Sequence, residues 1–325
     1  MRTILVTGGS GFIGSNYIRY MIDKYPHYSI VNYDKLTYAG NPENLAGLTG
    51  HPNYDFIKGD IGNLDTMVAA LKQWQVTEVV NFAAESHVDR SIESASEFMA
   101  TNVVGTQMLL EATRCHSVSK FVHVSTDEVY GSIDKGSFTE RDGLWPSSPY
   151  SASKAAADLV CHAYGKTYGL PIVTTRSSNN FGPYQYPEKL VPLLITNAMD
   201  DRVLPIYGDG LNVRDWIYVE DNCTGIDTVL HRGDIGRIYN IGAGNEVPNI
   251  EVAKAILAEL GKDESLLGYV EDRPGHDRRY SIDCSEIKKL GWEPVRTFDE
   301  GLKATVAWYK ENESWWRKLK GGVAL

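Results

Sequence analysis

Cysteine is scarce: only four occur in 325 residues, Cys115, Cys161, Cys223 and Cys284, and no two form a CxxC pair. A thiolate metal site or a dithiol redox motif therefore receives no support, and buried free thiols in a reducing compartment are expected. Long apolar runs are also missing, and none approaches the roughly 20 residues that span a bilayer. Strand-like sequence begins at Thr3, so a leader is not expected and a cytoplasmic location is. Positive charge is in deficit, with 32 Lys and Arg against 42 Asp and Glu for a net charge of −10. This balance speaks against a nucleic-acid or anionic-membrane surface. It leaves room for a local basic pocket facing a phosphorylated small molecule. Internal repeats and low-complexity stretches are absent. What remains, 42% apolar and 23% charged, is ordinary for a globular chain able to bury a full core.

Glycine, by contrast, is placed with purpose. The short β-rich run Thr3 to Thr7 leads into Gly8-Gly9-Ser10-Gly11-Phe12-Ile13-Gly14, and Ser15 to Lys24 reads as helix. Strand, glycine turn and helix form the context in which a dinucleotide pyrophosphate approaches the backbone and sits at a helix N-terminus. Gly8, Gly11 and Gly14 follow GxxGxxG spacing. A second strand, Ser29 to Tyr33, ends at Asp34, 20 residues after Gly14. A carboxylate there accepts from the adenosine ribose hydroxyls and repels a 2′-phosphate, which favours NAD over NADP. Further strand-like runs, Tyr54 to Ile57, Glu78 to Phe82 and Lys120 to Val124, alternate with helical stretches Leu64 to Trp74 and Ser94 to Arg114. Such alternation implies an α/β fold, a Rossmann-like doubly wound parallel sheet with helices on both faces. Asp60 and Ile61, just past the third strand, are placed to meet the adenine. Ala83, in the small-residue turn after the fourth, lets a cofactor approach the backbone. His87 in that turn suits either a substrate contact or a structural role.

The densest chemistry lies in Ser125-Thr126-Asp127-Glu128-Val129-Tyr130-Gly131 together with Tyr150-Ser151-Ala152-Ser153-Lys154. The first piece follows the apolar run Phe121 to Val124, so a hydroxyl and two carboxylates emerge where a buried strand ends. The second opens a helix expected from Tyr150 to Gly169, on which Tyr150 and Lys154, four apart, share a face. Neighbouring residues in a regular strand point to opposite faces. The backbone must therefore leave strand geometry near Asp127 if both carboxylates are to reach one substrate.

After a sixth strand, Pro171 to Arg176, turn formers and aromatics become frequent and the elements shorten. The expected division is an NAD-binding domain over residues 1–176 and a smaller C-terminal substrate-binding lobe over 177–325. Part of 236–245 is free to return to the main sheet, since Ile238-Tyr239-Asn240-Ile241 is strand-like. The basic tail from Trp315 is expected to fray after Lys320.

The glycine loop combined with Tyr150-Ser151-Ala152-Ser153-Lys154 resembles the extended short-chain dehydrogenase/reductase family. Within it the chain is most similar to the dTDP-glucose 4,6-dehydratase group. Asp34-Lys35-Leu36-Thr37-Tyr38-Ala39-Gly40-Asn41, Phe82 to Ser91, Ser125 to Gly131, Asn179 to Gln185 with Pro187-Glu188-Lys189-Leu190, and Arg273 to Asp277 carry the closer likeness, which covers essentially the whole chain. Phe181 departs from the tyrosine common in that group and removes only a loop hydroxyl. The resemblance implies bound NAD, contacted also by Phe12, Ile13, Lys35, Thr37, Tyr150 and Lys154, and a homodimer. It implies oxidation at C4 of the sugar by Tyr150 with Lys154 and Thr126, C5 proton removal by Glu128, and protonation of the leaving C6 hydroxyl by Asp127. The Lys154 ammonium and the nicotinamide cation are expected to favour the Tyr150 phenolate. Ser86, His87, Thr126, Asn179, Lys189, Leu190, Pro205, Tyr207, Arg214, Asn249, Arg273 and His276 are implied contacts for the nucleotide sugar. The guanidinium forks of Arg214 and Arg273 suit its diphosphate. Two other readings stay open, a nucleotide-sugar 4-epimerase, which needs the tyrosine and lysine without the acid pair, and a non-catalytic NAD-binding scaffold, which needs none of them.

Overall fold

A computed structural model describes residues 2–321. The strands are β1 (Thr3–Thr7), β2 (Ser29–Asp34), β3 (Tyr54–Lys58), β4 (Glu78–Asn81), β5 (Lys120–Thr126) and β6 (Ile172–Ser177), followed by β7 (Asn179–Phe181), β8 (Leu204–Tyr207), β9 (Val213–Tyr218), β10 (Ile238–Ile241), β11 (Glu246–Pro248) and β12 (Leu267–Val270). Seven of them make a sheet in the order β10-β6-β5-β4-β1-β2-β3, and every pairing in it is parallel. The Rossmann-like reading of the sequence is borne out.

Alternation along each strand divides its side chains between two cores. Ile4, Val6, Ile30, Val80, Val122 and Val173 pack on one face, with helices Phe12–Lys24 and Val219–Arg232. Leu5, Val31, Val79, Phe121 and Ile172 pack on the other, with helices Leu64–Gln73 and Thr106–Cys115. Both faces of the inner strands are covered, which is why those strands read as continuous apolar runs. The edge strand β10 and the helix Val219–Arg232 come from beyond residue 177, so the later part of the chain supplies elements of the first core. A separate core is built on Phe181, Leu194, Trp216, Ile256 and Tyr309. Small sheets β11-β9-β7 and β12-β8 frame it.

Two expectations change. The stretch read as one helix from Ser94 to Arg114 is broken into helical turns Ser96–Phe98, a π-helical segment Met99–Gly105 and the helix Thr106–Cys115, and a separate short helix, Val88–Glu93, precedes it. The wider π turns seat Asn102, whose side-chain oxygen accepts from Glu85 N at 2.9 Å while its amide donates to Ser153 Oγ at 2.8 Å. All four thiols are free, but Cys115, at the end of its helix, is exposed rather than buried, and Cys284 is only half-buried. The expected fraying after Lys320 falls, but for Gly321 at the end of helix Glu313–Gly321, on residues outside those described.

Candidate active site

The carboxyl ends of β1, β2, β4 and β5 meet where the strand order reverses about β1, the crevice in which open α/β sheets collect ligands. Gly8 turns there at φ 67°, and a Cβ on it would stand 2.7 Å from Ala83 N. A Cβ on Gly14 would stand 2.4 Å from Gly8 O. The loop therefore lies flat against its neighbours, and Gly11, which starts the helix Phe12–Lys24, offers no side-chain cap. Its first N–H groups are left for an anion. Asp34 is held at the end of β2 by Ser10 N at 2.9 Å and Leu36 N at 2.8 Å. Each oxygen keeps a further lone pair for a ribose hydroxyl. One cavity is lined by Gly8, Gly11, Phe12, Ile13, Gly14, Asp34, Lys35, Thr37, Asp60, Ile61, Ala83, Ser86, Tyr150, Lys154 and Lys189. Lys35 and Asp60 pair across it at 2.8 Å. The cradle fits a dinucleotide on geometry alone.

Strand β5 stops at Thr126, and Asp127–Tyr130 form a 3₁₀ turn capped by the Thr126 hydroxyl, which accepts from Glu128 N at 3.2 Å. The chain thus leaves strand geometry at Asp127, as two adjacent carboxylates serving one ligand require. Both act on the same phenol. Tyr150 is pushed up first by burial and then by the charges of Glu128 and Asp127, with the Thr126 hydroxyl pulling down. Asp127 is 2% exposed and its Oδ2 has no partner among the described residues. Burial, then Glu128 and Asp215, push its carboxyl well above the usual range. Burial also raises Glu128, and the net shift stays upward although Arg273, Arg214 and Lys189 all pull against it. Two carboxylates side by side in sequence are thereby set apart in acidity, the arrangement an acid–base pair needs.

Tyr150 and Lys154 stand on the helix Pro149–Tyr168, started by a Ser148–Ser151 capping box and ended by Gly169 at φ 69°. Ser91 Oγ accepts from Tyr150 N at 3.1 Å, fixing the first turn. Lys154 Nζ donates to Val124 O at 2.8 Å, and burial pulls its pKa down while Asp158 raises it. The help expected from Lys154 for the phenolate is thus outweighed, within the chain, by burial and the two carboxylates. Behind the lysine, Asp158 accepts from Arg176 Nε at 2.9 Å and faces His123 at 3.4 Å. Nothing in the sequence singled out Asp158, His123, Asn102 or Asp215. Only the i, i+4 spacing of Lys154 and Asp158 hinted at the first.

The remaining residues split between contacts and scaffolding. Arg214 Nη2 donates to Asp277 O at 2.8 Å and its guanidinium lies 4.1 Å from the Tyr280 ring centroid. Arg273 reaches Asp89 at 3.4 Å, and His276 pairs with Asp272 at 2.6 Å beside Tyr207. Arg214, Arg273 and Lys189 act on Glu128 together, making the local basic pocket that the acidic chain as a whole does not advertise. Asn179 and Asn249 each present a buried side-chain oxygen with no partner among the described residues. Pro205 lies in β8 opposite Gly268, and Leu190 begins the helix Leu190–Met199. His87 serves the scaffold, since its Nδ1 accepts from Arg90 N at 3.4 Å and caps the helix Val88–Glu93. Among the described residues no group of three or more His, Cys, Asp or Glu could hold a metal ion, and no helix is long and apolar enough to cross a membrane.

The parallel sheet, the flat glycine loop and the Tyr150/Lys154 helix define an extended short-chain dehydrogenase/reductase. The family model described as GDP-mannose 4,6 dehydratase matches residues 5–305, and the chain belongs to that family. It is 53% identical to the low-salt glycan biosynthesis protein Agl12 of Haloferax volcanii, over 94% of this chain and 98% of that one. It is 51% identical to a dTDP-glucose 4,6-dehydratase of Xanthomonas campestris pv. campestris, over 97% and 95% of the two chains. The solved structure of DesIV, a dTDP-glucose 4,6-dehydratase from Streptomyces venezuelae with NAD and TYD bound, superposes with a TM-score of 0.95 at 51% identity. It covers 98% of this chain and 99% of that one.

Proposed function

We propose that the protein is an NAD-dependent hydro-lyase that converts dTDP-glucose to dTDP-4-keto-6-deoxyglucose. The observation that carries this reading is the turn at Asp127 and Glu128. It brings two carboxylates, both raised in pKa and Asp127 the further, to the phenol of Tyr150. Removal of water from C5 and C6 of a hexose needs such a pair, because the C6 hydroxyl must be protonated as the C5 proton leaves. NAD held along Gly8, Gly11, Asp34 and Lys154 would supply the acceptor for the C4 hydride and the donor of the same hydride at C6, and so would be restored in each turnover.

The residues of the chain supply the rest. Tyr150 takes the C4 hydroxyl proton, with Thr126 bonded to the same oxygen. The C4 ketone then acidifies C5–H, and Glu128 removes that proton. Asp127, kept protonated by burial, gives its proton to the departing C6 oxygen, which leaves as water. Glu128 exchanges its proton with solvent and then protonates C5 as hydride reaches C6. Arg214 and Arg273 hold the diphosphate, Tyr207 and His276 flank the nucleotide, and Asn179 and Asn249 offer their unpartnered oxygens to it. The epimerase and scaffold readings leave the acid pair with nothing to do. A homodimer is supported by Met99 and Val104 on one long helical stretch and Leu159 and Tyr168 on the other, all exposed apolar side chains that a second copy would cover.

The test is mass spectrometry of dTDP-glucose incubated with the protein in deuterated water. Loss of one water with one deuterium retained on carbon is expected, and Glu128→Gln should oxidise C4 without exchanging C5. An unchanged mass, with NAD added and with UDP-glucose tried as well, would reject the hydro-lyase.

A further inference from the structure

We propose that residues 183–189 form a strap that keeps the dinucleotide in its groove between turnovers, with Glu188 as its catch. The proposal rests on the reading of the groove as an NAD site. The base of the strap belongs to the second core: the Tyr309 hydroxyl donates to Gln185 O, and Gln185 Nε2 donates to Asn180 O at 2.9 Å. Gly182 at φ 149° and Tyr184 at φ 66° turn the chain out of that core. It then crosses to the other half of the molecule. Asn16 Nδ2 donates to Pro183 O at 3.0 Å, and the Arg19 guanidinium lies 4.3 Å from the Tyr184 ring centroid, both from the helix that follows the glycine loop. At the far end Lys189 Nζ donates to Ser86 O at 2.6 Å, in the turn after β4. The strap therefore touches both sides of the crevice. Tyr186, Glu188 and Lys189 line the same cavity as Gly8, Asp34 and Tyr150.

Glu188 does the fastening. Its side chain is 10% exposed, and each oxygen is taken by a different segment. Tyr38 OH donates to Oε1 at 2.8 Å from the loop after β2, and Arg90 Nη2 donates to Oε2 at 3.0 Å from the helix after β4. The Arg90 guanidinium also stacks 3.8 Å from the Tyr38 ring centroid, and Tyr186 meets that ring edge-on at 5.4 Å. One carboxylate thus ties three separate parts of the chain across the groove. Since the hydride is returned within the turnover, the cofactor has no need to leave, and slow release costs the enzyme nothing.

The test loads the full-length protein with NAD, removes the excess and chases with a fluorescent etheno-adenine analogue of NAD. Glu188→Ala loses two hydrogen bonds to a carboxylate, one of them also an ion pair, at a mostly buried site, for roughly 10- to 100-fold faster release. Glu188→Gln, which can still accept from Tyr38, should release NAD at an intermediate rate. Release from Glu188→Ala at the wild-type rate overturns the strap. Should Glu188→Ala not fold, Tyr38→Phe removes a single hydroxyl, and unaltered release from it overturns the strap equally. A wild-type protein that takes up no NAD refutes the cofactor reading, and the strap with it. That outcome is distinct from normal uptake with unaltered release.

Discussion

Replacing Asp127 with Asn separates the catalytic and the structural consequences of one buried acid. The side chain is 2% exposed, with Oδ2 unpartnered, and burial, Glu128 and Asp215 raise its pKa against the weaker pull of Arg214 and Thr126. A folded-state pKa above the unfolded value of about 3.9 means that the folded state binds the proton more tightly. Its contribution to stability is then complete below about pH 4 and is lost as pH rises through the folded pKa. Asn has nearly the same shape and cannot ionise. Asp127→Asn should therefore match wild type near pH 4 and become the more stable of the two as pH rises, by about 1–3 kcal/mol, the usual cost of leaving a buried polar group unsatisfied. Urea unfolding of the cofactor-free protein across pH 4 to 9 reads this directly. Catalysis should move the other way. Loss of a positioned general acid costs about 10²- to 10⁴-fold, and here it falls on water loss alone. In a single turnover, NADH absorbance should rise at nearly the wild-type rate while product formation stalls. Equal slowing of both steps would refute the assignment, and so would a stability advantage that shrinks with pH.

Tyr150→Phe should abolish C4 oxidation and leave NAD content after gel filtration unchanged, since the phenol oxygen is the only atom removed. Gly14→Ala places a Cβ 2.4 Å from Gly8 O, so isothermal titration should find NAD binding lost or weakened at least tenfold. Asp158→Asn strips the charge facing Arg176 and His123 and should cost roughly 3–5 kcal/mol in urea unfolding at pH 7. Burial raises Asp158, but the His123 bond and the Arg176 charge outweigh it and the net shift is downward. Its stabilisation is thus present above about pH 4 and lost as pH falls, so the deficit of the variant should narrow in acid.

The Rossmann half was legible because its signals are local. Thr3 to Thr7, the glycine loop and Asp34 occupy one short stretch, and the inner strands are buried on both faces and announce themselves as apolar runs. The departure from strand geometry at Asp127 followed from two carboxylates needing one face. Less was legible where partners are distant. β9 pairs with β7 and β11, and β8 with β12, across loops whose lengths carry no register signal. The π-helical turns at Met99–Gly105 were hidden because helical periodicity tolerates one wide turn, and Asn102 offers no motif of its own. Glu188, Tyr38 and Arg90 each sit in a recognisable motif, yet their convergence is purely tertiary. The balance of influences on Tyr150 likewise depends on burial, which no spacing in the sequence encodes.

The edge strand Ile238–Ile241 and the helix Val219–Arg232 complete a sheet begun at Thr3. A chain emerging from the ribosome therefore holds six strands for a long interval with β6 unpaired on one side and half of one sheet face bare. Synthesis runs at about 5–20 residues per second, so the interval between Ser177 and Ile241 lasts several seconds. An apolar edge open for that time invites pairing with a second nascent chain. The order of strands in this sheet thus sets a period of vulnerability during translation, ended only when the segment that also carries the proposed substrate contacts Pro205, Tyr207 and Arg214 has been made.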